Sequence, residues 1–106
     1  MKEVIRNIKG TKDILSDETF IWIYLENYIH NFFQKFGYKE IRTPTFENTD
    51  LFLRSIGSDT DVVSKEMYSW IDQGDNSLTL RPELTAPVVR SYIQHQLGKQ
   101  NKSHKL

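Results

Sequence analysis

The sequence predicts an α+β domain, with helices set against antiparallel strands. Three observations carry this. Apolar residues recur in four-step pairs between positions 20 and 36. A cluster of turn formers, Asp72-Gln73-Gly74-Asp75-Asn76, separates two short strand-like runs. A proline-bearing corner then leads from the second run into another amphipathic stretch.

The first helix begins at Ser16-Asp17, where Ser16 or Asp17 can cap and Asp17 and Glu18 suit the positive N-terminal end. Its pairs are Phe20/Ile21, Tyr24/Leu25, Tyr28/Ile29 and Phe32/Phe33, followed by Phe36. That recurrence predicts one broad buried stripe on a helix of about 18 residues, ended by Gly37. Trp22 and Ile23 lie off the stripe, so the helix is either deep in its own fold or packed on a second surface such as a partner subunit. Tyr38–Thr43 is a strand candidate stopped by Pro44. Asn48 or Thr49 caps a second helix that carries Leu51, Phe52, Leu53 and Ile56, with Gly57 past its end. Gly57–Asp61 is polar loop, since its acidic cluster lacks a metal-ligand spacing. Glu66–Ile71 and Ser77–Arg81 form a hairpin across the 72–76 turn. Thr85 caps a third helix with Pro87 in its first turn. Val88, Val89, Tyr92, Ile93 and Leu97 are its buried face, and Gly98 is its end. Lys99–Leu106 is a polar tail with no visible partner.

Composition narrows the function classes. The chain has 106 residues, the size of one small domain or part of a larger one. With 14 Lys+Arg against 14 Asp+Glu it has no formal net charge, so nothing marks it as the main surface for nucleic-acid phosphates, and no DNA partner is expected. The lack of cysteine excludes disulfides and thiolate metal sites and fits a cytoplasmic protein. No apolar leader or membrane-length run is present, so no membrane partner is expected.

The corner Leu80-Arg81-Pro82-Glu83-Leu84-Thr85 is the candidate site. Pro82 keeps Arg81 extended, so Glu83 falls between a strand end and a helix start, where a side chain can face a cleft. A carboxylate accepts hydrogen bonds, and the Thr85 hydroxyl both donates and accepts. Together they can cradle an ammonium group, with about 1.5–3 kcal/mol per charged hydrogen bond when shielded from water. The plainer reading is equally physical: Glu83 complements the helix dipole and Thr85 is an ordinary cap. Arg81 and Arg90 can bind phosphate or form ion pairs. His30, His95 and His104 are too scattered for a metal pair or dyad, so no metal site is expected.

The order of segments adds to this. The long helix followed by Phe36-Gly37-Tyr38-Lys39-Glu40-Ile41-Arg42-Thr43-Pro44 resembles motif 1 of class II aminoacyl-tRNA synthetases. More narrowly, "GTKDIL" (10–15), "GSDTDVVSKEMYSW" (57–70) and "LTLRPELTAPVVR" (78–90) follow one another as in the histidyl-tRNA synthetase family. The resemblance implies that residues 1–106 are the N-terminal part of a class II catalytic domain, an antiparallel sheet flanked by helices, without motifs 2 and 3. It implies a homodimer built on motif 1, with Trp22, Ile23, Arg42 and Pro44 at the interface. It also places Glu83 and Thr85, with the Leu84 backbone, on the α-amino group of L-histidine. Leu84 stands where many members have glycine, and Ser16 where many have proline. The family reaction joins L-histidine to tRNA(His) with ATP and Mg2+. No catalytic residue is expected within this stretch, so the chain alone is expected to be inactive. Two other readings stay open. One is a synthetase-like regulatory subunit of ATP phosphoribosyltransferase, against which Glu83 and Lys65-Glu66-Met67-Tyr68 speak. The other is a non-catalytic dimerisation module.

Overall fold

The computed structural model describes residues 2–56, 66–100 and 102–106. These form two compact units, one within residues 1–39 and one within residues 40–106.

In the first unit a turn at Gly10, with φ of +92°, precedes helix α1, Ser16–Gln34. Leu15 holds the N-cap position without a side-chain bond, and Ser16 is already helical. The expected Ser16-Asp17 cap is therefore displaced by one residue, although Asp17 and Glu18 do fall in the first turn. The C-terminus closes as a Schellman motif around Gly37, whose φ is +82°. Tyr38 N–H donates to Phe33 C=O at 3.1 Å and Gly37 N–H to Gln34 C=O at 3.1 Å. The Phe33 and Tyr38 rings meet edge to face at 5.5 Å, the apolar contact that accompanies this cap. The stripe itself is not buried: no residue of α1 is, and its aromatic and aliphatic side chains are exposed. Periodicity identifies which face is apolar, but burial needs a second surface, and the unit of residues 1–39 has no other helix or strand among the described residues.

The second unit is a three-stranded antiparallel sheet of order β1-β3-β2. The strands are β1 (Phe46–Asn48), β2 (Ser69–Ile71) and β3 (Ser77–Leu80), with helices α2 (Thr49–Ile56) and α3 (Thr85–Gln94). The strand expected at residues 38–43 is absent, and β1 lies beyond Pro44 instead. A strand is set by its ladder, and β3 pairs with residues 46–48. The hairpin forms with Trp70 opposite Leu78, yet its first arm is only Ser69–Ile71, and Glu66 is helical. The expected loop at residues 57–61 lies outside the described residues.

Asp72 organises the hairpin turn. Its Oδ1 accepts from Gly74 N–H at 2.9 Å and Asn76 N–H at 2.8 Å, while Asp75 adopts a φ of +62°. The Asn76 backbone bond, partly opposed by desolvation and reinforced by the Asn76 side chain and the Gly74 backbone, holds the carboxyl below its ordinary value.

Strand alternation puts Glu47, Thr79 and Ser69 on one face of the sheet, and Phe46, Leu78, Leu80 and Trp70 on the other. The helices meet the polar face, because Thr79 Oγ1 donates to Thr49 Oγ1 of α2 at 2.8 Å and shares a 2.7 Å hydrogen bond with Ser69. Thr79 is fully buried, as is Phe52 of α2, and Ala86 and Pro87 of α3 are buried beside them. The expected α3 face is thereby corrected: Val89, Tyr92 and Ile93 are exposed, and Ala86 and Pro87 form the inner edge. That edge lies in the first turn, nearest the sheet from which the chain has just emerged. Helix α3 stops at Gln94, and after Gln96 (φ +53°) a single 3₁₀ turn at Leu97–Lys99 contains Gly98. The tail does find a partner, with His104 packed edge-on to Tyr92 at 6.3 Å.

Candidate functional site

The corner between β3 and α3 forms as the proline requires. Arg81 continues the ladder with its N–H on Thr45 C=O at 3.0 Å, and the chain turns into α3 within four residues. Thr85 is the first helical residue and Leu84 the N-cap, so Thr85 is not the cap. Glu83 caps instead. Its Oε2 accepts from Thr85 N–H at 2.6 Å, and both of its oxygens accept from Ala86 N–H, at 3.0 and 3.2 Å. This is a carboxylate on the first free N–H groups of a helix, where orphan donors and the dipole both favour it.

Capping does not exhaust Glu83. An ionised carboxylate offers about four acceptor positions, and among the described residues two N–H groups reach it, through three hydrogen bonds. Glu83 is half-buried and lines an open hollow of about 620 Å³ with Leu51, Thr85, Ala86, Val89 and Arg90 among the walls. The hollow is mostly apolar, with Glu83 and Arg90 as its charged groups. Neither neighbouring arginine is engaged with Glu83. Arg81 Nη1 donates to the backbone carbonyls of Thr43 and Pro44 at 3.0 and 3.4 Å, which replaces the phosphate or ion-pair role expected for it. Arg90 does form an ion pair, but with Glu47, at 2.8 Å.

Glu47 is the site residue that the sequence reading missed. It is 9% exposed, on β1, directly across the ladder from Thr79. No local signal marks it, because the strand that turns Glu47 inward is set by its pairing with β3 and lies beyond the strand expected at residues 38–43. Leu84 has an exposed side chain at the corner. Trp22 and Ile23 are 46% and 53% exposed on α1. Arg42 is exposed and pairs with Glu40, and Pro44 is exposed beside the Arg81 contact. Trp22 and Ile23 belong to the first unit, and Arg42 and Pro44 to the second. Among the described residues no group of three or more His, Cys, Asp or Glu could hold a metal ion. Among the described residues no helix is long and apolar enough to cross a membrane.

The family model described as histidyl-tRNA synthetase matches residues 10–106. A curated relative from Staphylococcus epidermidis, named histidine–tRNA ligase, is 54% identical over 97% of this chain and 24% of its own length. The chain thus spans about a quarter of that relative. The solved apo histidyl-tRNA synthetase of Staphylococcus aureus superposes with a TM-score of 0.79 at 44% identity, covering 94% of this chain and 23% of that one. A Bacillus halodurans structure titled as an ATP phosphoribosyltransferase regulatory subunit/histidyl-tRNA synthetase gives a TM-score of 0.71 at 23% identity, over 93% of this chain and 25% of that one. At that identity the likeness extends to the fold alone.

Proposed function

We propose, because this chain belongs to the histidyl-tRNA synthetase family, that it contributes the dimer motif and half of the amino-acid pocket of a histidine–tRNA ligase. On this reading residues 1–106 are the N-terminal part of the catalytic domain of an enzyme that activates L-histidine with ATP and transfers it to tRNA(His). The observation that carries the reading is the position of Glu83, whose carboxylate has spare acceptor capacity at the edge of a largely apolar hollow.

The α-ammonium of the substrate would complete the Glu83 acceptor set, with the Thr85 hydroxyl beside it. Thr85 and Ala86 N–H groups already hold the carboxylate in place, so little reorganisation accompanies binding. The resulting contact fixes one end of the amino acid and leaves its carboxylate free to react. It does not discriminate, because every amino acid carries the same ammonium; imidazole selection requires other hydrogen-bonding groups. ATP and Mg2+ are co-substrates on this reading. The described residues offer no acidic cluster for Mg2+, so no step is assigned to the metal here. The same reading makes the protein a cytoplasmic homodimer, with Trp22, Ile23, Arg42 and Pro44 toward the partner subunit.

The test is calorimetry of L-histidine on the protein of natural length carrying Glu83→Gln. Glutamine keeps an oxygen for the helix N–H groups and loses the charge. Affinity should fall by roughly tenfold or more, with little change in melting temperature. Unchanged affinity with a lower melting temperature would reduce Glu83 to a cap.

A further inference from the structure

We propose that Glu47 and Arg90 are a positioning pair for the amino-acid cradle, fixing the rotation of α3 that presents Glu83 and Thr85 to the hollow; the inference rests on the reading of that cradle given above. Arg90 lies five residues beyond Thr85, so the two are about 7.5 Å apart along the helix axis. Its Nη2 donates to Glu47 Oε1 at 2.8 Å and its Nη1 to Gln94 Oε1 at 2.7 Å. Glu47 is almost wholly buried on β1, and Arg90 Nε is buried with no hydrogen-bond partner. Such a pair is poorly suited to supplying stability, since an apolar pair of similar volume usually serves as well. What it does supply is direction.

Helix α3 is only ten residues long, and among the described residues its other holds are the buried Ala86 and Pro87 and the ring contact of Tyr92 with His104, all of them packing contacts. Packing contacts tolerate rotation and sliding, whereas a guanidinium steadied on its own helix by Gln94 and bonded across to Glu47 on β1 resists both. The Glu83 carboxylate is bonded to the first N–H groups of the same helix, so it moves with the helix end. A turn of α3 about its axis would therefore carry Glu83 and Thr85 away from the ammonium together.

The readout is the ratio of affinities for L-histidine and its des-amino analogue imidazolepropionate, measured on the protein of natural length. This ratio isolates the ammonium contact, and general damage to the pocket lowers both affinities alike. Glu47→Gln and Arg90→Gln should each shrink the ratio about tenfold, and the double variant should do no worse than either alone, as for two parts of one device. Arg90→Lys keeps the charge beside Glu47 without the planar fork, and it carries the test with a smaller decrease if Glu47→Gln does not fold. A ratio that holds while the melting temperature falls, or two affinities that fall equally, would overturn the proposal. Glu83→Gln is measured alongside. If it leaves the ratio intact, the cradle reading fails and the positioning role falls with it. If it collapses the ratio while the Glu47 and Arg90 variants keep it, only the positioning role fails.

Discussion

On the proposed reading, Glu83 joins two roles that are usually weighed against each other. A carboxylate used as a helix cap is held still by its N–H donors, and a carboxylate held still is a better anchor for an incoming cation. The cap and the proposed ligand contact would therefore cooperate, and Glu83→Gln separates them because it removes charge while keeping an acceptor. Asp72 is the same chemistry without a ligand. Its native carboxyl lies below its ordinary value, chiefly through the Asn76 N–H, so the folded hairpin favours the ionised form. A depressed native value stabilises above the unfolded value and loses that contribution as pH falls. The β2–β3 turn should accordingly loosen below about pH 4. The protection factor of the Asn76 amide, its exchange rate relative to the intrinsic rate at each pH, should fall there with acidification in the parent, and Asp72→Ala should remove that dependence. A parent turn indifferent to pH in that range would contradict the assignment.

At the scale of elements, each helix end is set by geometry that a side chain either permits or forbids. Gly37 sits at a φ of +82° with both Schellman bonds formed around it. Gly37→Ala puts a Cβ into the left-handed region and should cost about 1–2 kcal/mol. The loss is read as fraying of the last turn of α1 by amide exchange, and Gly37→Asn should suffer less. Helix α1 also shows the limit of amphipathic reasoning. Its stripe is present as expected, and its exposure shows that the unit of residues 1–39 offers no inner surface to cover it. In α3 the misjudged face has a different cause. The helix is anchored by its first turn, so Ala86 and Pro87 are buried, and the larger Val89 and Ile93 line an open hollow.

At the scale of the whole molecule, exposed apolar surface is the main feature. Trp22 lies within an exposed apolar helix, and on the homodimer proposal it is a contact with the partner subunit. Trp22→Glu in the protein of natural length should weaken self-association about tenfold or more, as read by analytical ultracentrifugation. An unchanged dissociation constant would place the interface elsewhere. The 106-residue chain also spans about a quarter of the S. epidermidis relative, and the described residues hold the proposed ammonium site but no group of three or more His, Cys, Asp or Glu for a metal ion. Histidine-dependent pyrophosphate exchange by this chain alone should be undetectable. Measurable exchange would show that the activation chemistry needs fewer residues than proposed here.

Much of the local chemistry was legible, although the caps expected at Ser16-Asp17 and Thr85 and the strand expected at residues 38–43 were not found. The α+β class, the 72–76 turn, the Gly37 stop and the corner at Glu83 each follow from residues within a few positions of one another, where φ preferences and hydrogen-bonding capacity act without help from the fold. The family was legible too, from ordered motifs that this chain carries almost from end to end. Tertiary structure alone decided that β1 lies at Phe46–Asn48, that Glu47 is buried against Arg90, and that α1 is uncovered in its own unit. Those outcomes depend on which surface meets which across separations such as the 43 residues from Glu47 to Arg90. A residue pattern records what a side chain can do, and only the packed chain determines what it is set against.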